Sequence, residues 1–130
     1  MRFLADRRFI RFMQVAFVLA CLFAVVMALL PKPPKLPTDR WGDKVEHVIA
    51  FSTLALLAAL AFPRMPRWRV IERLSFLGAL IEVFQSIPAL GRDCDVRDWI
   101  ADTVAVIVVV GLVTLFSPQG SRVPKVRAFR

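Results

Sequence analysis

Eight polar side chains, Asp43, Lys44, His47, Glu82, Gln85, Arg92, Asp98 and Asp102, interrupt or border segments that are otherwise apolar over the length of a membrane. A charged group in hydrocarbon costs from about 3 to well above 10 kcal/mol. Such a chain has to shelter these groups against one another or in a cavity that water can reach. That restricts it to folds in which the apolar segments meet.

Four apolar stretches, 9–30, 45–62, 70–90 and 99–116, make up most of the 130 residues and explain a hydrophobic content of 58%. About 20 helical residues at about 1.5 Å each cover a hydrocarbon core of about 30 Å. Backbone groups left unpaired in lipid are prohibitive, so segments of this kind must be helices. The expected fold class is all-α: a polytopic membrane protein, a four-transmembrane-helix bundle, in one domain over residues 1–130. A soluble four-helix bundle is the rival. The run Val104–Val113 speaks against it, because it has no polar face to offer water. Residues 1–30 also have the basic start of a signal peptide, with Val26-Met27-Ala28 as a small-residue cleavage site. The apolar run is longer than the 7–15 residues of a typical signal core, so its retention as the first span is expected.

The net charge of +8 would suit nucleic acid, but its distribution does not. Arg2, Arg7, Arg8 and Arg11 precede the first span, Arg64, Arg67, Arg69 and Arg73 lie at the junction of the second and third, and Arg122, Lys125, Arg127 and Arg130 follow the fourth. These are alternate ends, as expected of cytoplasmic segments under the positive-inside rule. The expectation is N-in/C-in insertion, with membrane lipids rather than nucleic acid as the partners of these arginines. Cys21 falls mid-span and Cys94 in an outer loop, too far apart in depth for a disulfide.

Asp43 and His47 are four apart, Glu82 and Gln85 three apart, and Asp98 and Asp102 four apart, so each pair shares one helix face. N-in/C-in insertion brings all three pairs to the outer leaflet. Counted from the expected span ends, His47 and Asp102 lie about 5 Å deep and Glu82 about 10 Å. A network that merely fastens helices contributes about 0.6 kcal/mol per contact, little return for burying so many ionisable groups. A site is the better reading. In it His47 and Glu82 are candidate catalytic acid–base residues, and Asp43, Lys44, Gln85, Arg92, Asp98 and Asp102 are candidate ligand-binding residues. Arg92 and Lys44 suit a phosphate or carboxylate. One histidine among carboxylates is a weak metal signal by spacing, so no metal is assigned.

Asp43-Lys44-Val45-Glu46-His47 with the aromatic Phe51, then Glu82-Val83-Phe84-Gln85, then Gly91-Arg92-Asp93 with Asp98 and Asp102, resemble the VanZ-like membrane proteins over residues 41–110. That family shows a DKxxH motif, an ExxQ motif and an R…D…N block ahead of a glycine. Here Asp102 stands at the position of the Asn and Ala105 at that of the Gly. The resemblance implies a bacterial inner-membrane protein. The family's namesake is associated with low-level resistance to teicoplanin, a lipid-tailed glycopeptide that binds cell-wall precursors. The family's activity is not established, so three functions stay open. They are binding of an envelope lipid or lipid-linked cell-wall precursor, a membrane-embedded hydrolase or transferase acting on a lipid phosphate or ester, and a non-catalytic interaction module.

Overall fold

The computed structural model describes residues 6–31, 33–35, 37 and 42–116, the side chain of Asp43 excepted. It is all-α: α1 (Arg7–Leu29), α2 (Asp43–Ala61), α3 (Arg67–Gln85) and α4 (Val96–Phe116), with a 3-10 turn at Pro88–Leu90 between the last two. Three of these, α1, α2 and α4, are long and apolar enough to cross a membrane. At 19 residues α3 is as long as α2, but it carries Arg67, Arg69, Glu72, Arg73 and Glu82 and is much less apolar.

Two boundaries differ from the sequence expectation. The third apolar stretch runs to residue 90, yet α3 stops at Gln85. Pro88 has no N–H and disfavours helical geometry at Ile87, so the chain tightens into the 3-10 turn. Gly91 ends that turn at φ 58°, a left-handed conformation that only glycine adopts without steric cost. At the other junction α4 begins at Val96 rather than 99. Asp95 precedes it and accepts the Arg97 N–H on Oδ1 at 2.9 Å, the bond of a helix N-cap.

The core is a seam of α2, α3 and α4: Phe51, Leu54, Ala55 and Ala58 against Val70, Leu74 and Ile81, closed by Val106 and Val110. The α2 alanines let backbones approach closely, which matters where lipid contributes no hydrophobic drive between helices. In contrast, α1 buries no residue and lies on the outside of the bundle, with Phe17, Ala20 and Ala24 against the core. Phe17 meets Phe62 edge to face at 5.5 Å. The outward faces of α1 and α4 are apolar, from Phe12, Leu19 and Leu22 to Val108 and Leu115. So large an apolar surface suits hydrocarbon rather than water.

Helix ends are secured by neighbouring helices. Arg67 donates to the Ala59 carbonyl at 3.1 Å and Gln14 to the Ala61 carbonyl at 3.3 Å, so the last turn of α2 has partners for its exposed acceptors. At the opposite end Gln85 Nε2 donates to the Ala28 carbonyl in the last turn of α1 at 3.0 Å. These ties put the starts of α2 and α4 and the ends of α1 and α3 at one end of the bundle, with the arginine-rich turn after α2 at the other.

Gly78 sets the approach of α3 to α2 and α4. A Cβ there would lie 3.3 Å from Trp99 Cδ1, 3.4 Å from Phe51 Cζ and 3.5 Å from Asp102 Oδ2. Gly78→Ala should therefore be tolerated with a small shift of Trp99. Gly78→Leu should force the helices apart and lower the melting temperature in detergent substantially. Thermal unfolding of the two variants checks this, and equal effects would contradict the close approach.

Candidate functional site

The α2–α4 seam carries two charged contacts, about one helical turn apart. Lys44 Nζ meets Asp98 Oδ1 at 2.9 Å and Asp95 Oδ2 at 3.1 Å. One turn deeper, His47 Nδ1 meets Asp102 Oδ2 at 3.2 Å. Residues 44 and 47 pair with 98 and 102 in ascending order, so α2 and α4 run parallel. The antiparallel α3 joins from the side: Glu82 Oε2 accepts the Asp95 N–H at 3.0 Å, and Ser75 Oγ lies 2.9 Å from Thr103 Oγ1.

The sequence-derived candidates divide by place. His47, Glu82 and Asp98 come together, each with a ligand-type atom within 4.8 Å of those of the other two. Lys44 and Asp102 flank them through the contacts above. Arg92, half-buried on the loop after the 3-10 turn, lines the same cavity as His47. Gln85 is buried too, but its amide is engaged by α1, so its evident role is to fasten a helix. The Asp43 side chain lies outside the described residues.

The cluster is buried throughout: Asp102 is 1% exposed, and Glu82 and Asp98 are each 6% exposed. The depth order departs from the sequence estimate, because α3 ends at Gln85. Glu82 is then only about 4.5 Å from its helix end, His47 about 6 Å and Asp102 about 9 Å, at about 1.5 Å per residue. Buried charges need partners. Asp98 has Lys44, Asp102 has the His47 ring, and Glu82 has the Asp95 N–H and the Cys94 thiol.

Sequence reasoning missed Asp95, Trp99 and Glu46. Asp95 caps α4, pairs with Lys44 and offers its N–H to Glu82. The Arg97 N–H, and after it Lys44, hold its carboxyl below the usual carboxylate range. Its place just ahead of an apolar helix was the available signal. Trp99 donates Nε1–H to the Ser75 carbonyl at 3.0 Å and so clasps α3 to α4. Glu46 lines the cavity beside His47.

That cavity, about 510 Å³, opens between α1 and α2. Its walls are mostly apolar, among them Phe23, Ala24, Ala50 and Leu54, while Glu46, His47 and Arg92 supply its polar part. The arrangement can hold an elongated amphiphile, and the buried His–Asp pair can hold or move a proton. No protein-family model, curated protein or solved structure matches the chain.

The His47–Asp102 pair should be energetically coupled. A double-mutant cycle with His47→Ala and Asp102→Ala, read by thermal or denaturant unfolding in detergent, should give an interaction of about 0.5–3 kcal/mol. Strict additivity would show that the contact contributes nothing. A second outcome concerns acid. The contribution of Asp95, whose carboxyl is lowered by folding, is complete above the ordinary carboxylate value of about 3.9 and is lost as pH falls through its lowered value. The melting temperature of Asp95→Asn should therefore fall less steeply than that of the native chain below about pH 4.

Proposed function

We propose that the chain is a VanZ-like inner-membrane protein that binds an anionic envelope lipid, with the lipid's hydrocarbon in the α1–α2 cavity and its phosphate at Arg92 and His47. One observation carries this reading: a mostly apolar cavity of about 510 Å³ whose polar lining holds Arg92 and His47, with Glu46 beside them. Sites for small molecules span about 300–1,000 Å³ and combine mostly apolar walls with a few polar groups that fix orientation. An arginine fork suits phosphate. Two of the VanZ-like motif residues, His47 and Arg92, line this cavity, and Glu82 and Asp98 lie close to His47, which supports the same reading.

In this reading α3 is the fourth span, with the stems of Arg67, Arg69 and Arg73 in the apolar region and their guanidinium groups at the headgroups. The N-in/C-in arrangement follows from the arginine-rich turn after α2, and the polar cluster then faces the outer leaflet. Occupation of such a site by a lipid-linked cell-wall precursor would alter what a glycopeptide can reach. That connects the reading to low-level teicoplanin-type resistance or to envelope upkeep. The buried His47–Asp102 pair favours a second reading, hydrolysis or transfer at a lipid phosphate or ester, with His47 as general acid–base and Glu82 beside it.

Native mass spectrometry of the protein in mild detergent tests lipid binding and separates phospholipid from lipid-linked precursor by mass. The native chain should retain an anionic lipid. Arg92→Ala should weaken retention, and Ala50→Phe should abolish it by filling the wall while the polar cluster stays intact. Retention by Ala50→Phe equal to that of the native chain would exclude the cavity as the binding place.

Orientation is checked with the exposed Cys94 as the reporter in a Cys21→Ala background. Desolvation, and then the Glu82 carboxylate, raise the Cys94 thiol, so labelling is best read at mildly alkaline pH. An impermeant maleimide should label Cys94 in intact cells, whereas Arg64→Cys should react only after the membrane is opened. The reverse pattern would place the cluster on the cytoplasmic side.

A further inference from the structure

Spacing along the sequence puts one histidine among scattered carboxylates, but the folded chain brings three ligand-type side chains from three helices to one point. A ring nitrogen of His47 and carboxylate oxygens of Glu82 and Asp98 all lie within 4.8 Å of one another. All three residues are buried. In Glu82, Oε2 accepts the Asp95 N–H, while Oε1 is buried and has no hydrogen-bond partner among the described residues. An acceptor in that position loses its hydration with no compensation. Buried carboxylates are ordinarily paired or bound to metal.

We propose that His47, Glu82 and Asp98 form a binding site for a first-row divalent cation, Zn²⁺ or Mn²⁺. The donor set decides the class. Imidazole suits zinc and iron, carboxylates suit manganese and harder ions, and a set of one imidazole with two carboxylates serves the borderline cations between them. Ligand atoms about 2.1 Å from a shared ion sit roughly 3–3.5 Å apart, so an ion would draw the three groups together by up to about 1.3–1.8 Å. Lys44 holds Asp98 through Oδ1 and fixes that carboxylate from the outside. Asp102 is a positioning residue. With its Oδ2 at His47 Nδ1, the ring proton belongs on Nδ1 and the lone pair on Nε2, as in the carboxylate–histidine–metal arrangement of many metalloproteins. Asp102 stands where the resembling family has an amide, and a carboxylate raises the basicity of the ligating ring more than an amide does.

Three protein ligands leave at least one coordination position for water or for an anionic group. His47 also lines the α1–α2 cavity, so a phosphate oxygen there could take that position. The cation site rests on the side-chain cluster alone and stands whether or not a lipid fills the cavity.

The chain has a single histidine, which gives a direct readout. The full-length protein, purified in mild detergent through a histidine-free tag, labelled with ¹⁵N-histidine and stripped with chelator, is titrated with Zn²⁺. The one imidazole should shift at Nε2 and saturate at one equivalent, and the melting temperature should rise. Equilibrium dialysis should show Glu82→Gln and Asp98→Asn binding at least about tenfold more weakly, and Asp102→Asn about 10–100-fold more weakly. Asp93→Asn should bind as the native chain does. Mn²⁺ should compete for the same site. An imidazole unmoved by excess Zn²⁺ would overturn the proposal even if every variant failed to fold. So would a folded Glu82→Gln chain with native affinity, or loss of binding in Asp93→Asn. Lipid retention is measured on the same stripped sample, so failure of the cation site and failure of the lipid reading give separate results.

Discussion

The structure depends on charges that cannot be left alone in a medium without water. Lys44–Asp98 and His47–Asp102, one helical turn apart, hold α2 and α4 parallel and in register. A slip of either helix by a turn would leave Asp102, the most buried acid of the cluster, facing apolar side chains in place of the His47 ring. Breaking such a buried pair costs on the order of 3–5 kcal/mol. The apolar seam of Phe51, Leu54, Val106 and Val110 can then pack tightly, but apolar packing alone would tolerate more than one register.

The third helix is placed by that same pair of helices. Gly78 lets α3 come against Trp99, Phe51 and Asp102, and Trp99 and Thr103 fasten it through Ser75. With that distance set, Glu82 reaches the start of α4 and receives the Asp95 N–H. The α4 N-terminus therefore serves three purposes: Asp95 caps the helix, meets Lys44 and supports Glu82. The carboxylates of the cluster are thus held in place by contacts within the fold itself. In contrast, α1 buries nothing and is joined to the rest by its inner face and by the ties of Gln14 and Gln85. The cavity lies between this outer helix and α2, beside the polar cluster.

The helices and the pairing of polar residues at three- and four-residue spacing were legible in the sequence, because amphipathic periodicity and apolar length are local properties. The local record was less good at the ends. Pro88 and Asp95 both mark boundaries, yet an apolar count runs past the first and starts after the second, which misjudged the depth of Glu82. Gln85 looked like a ligand-binding residue by its neighbour Glu82, and only the position of α1 assigns its amide to the Ala28 carbonyl. The tie of Trp99 to Ser75 is hidden for the same reason: nothing local to Trp99 reveals its partner.

By itself, then, the sequence determined that this chain forms long helices, that several suit a membrane, and that polar groups from three of them have to be sheltered together. These follow from the cost of unpaired backbone and of charge in hydrocarbon, which act on each segment separately. Which carboxylate faces which cation was a tertiary decision, because it depends on helix register and on a single glycine's clearance. The same holds for the buried, unpartnered oxygen of Glu82 and the convergence of His47, Glu82 and Asp98. Side chains as far apart in sequence as His47 and Asp98 meet only when three helices pack, and the chemistry available at that point is a property of the packed arrangement.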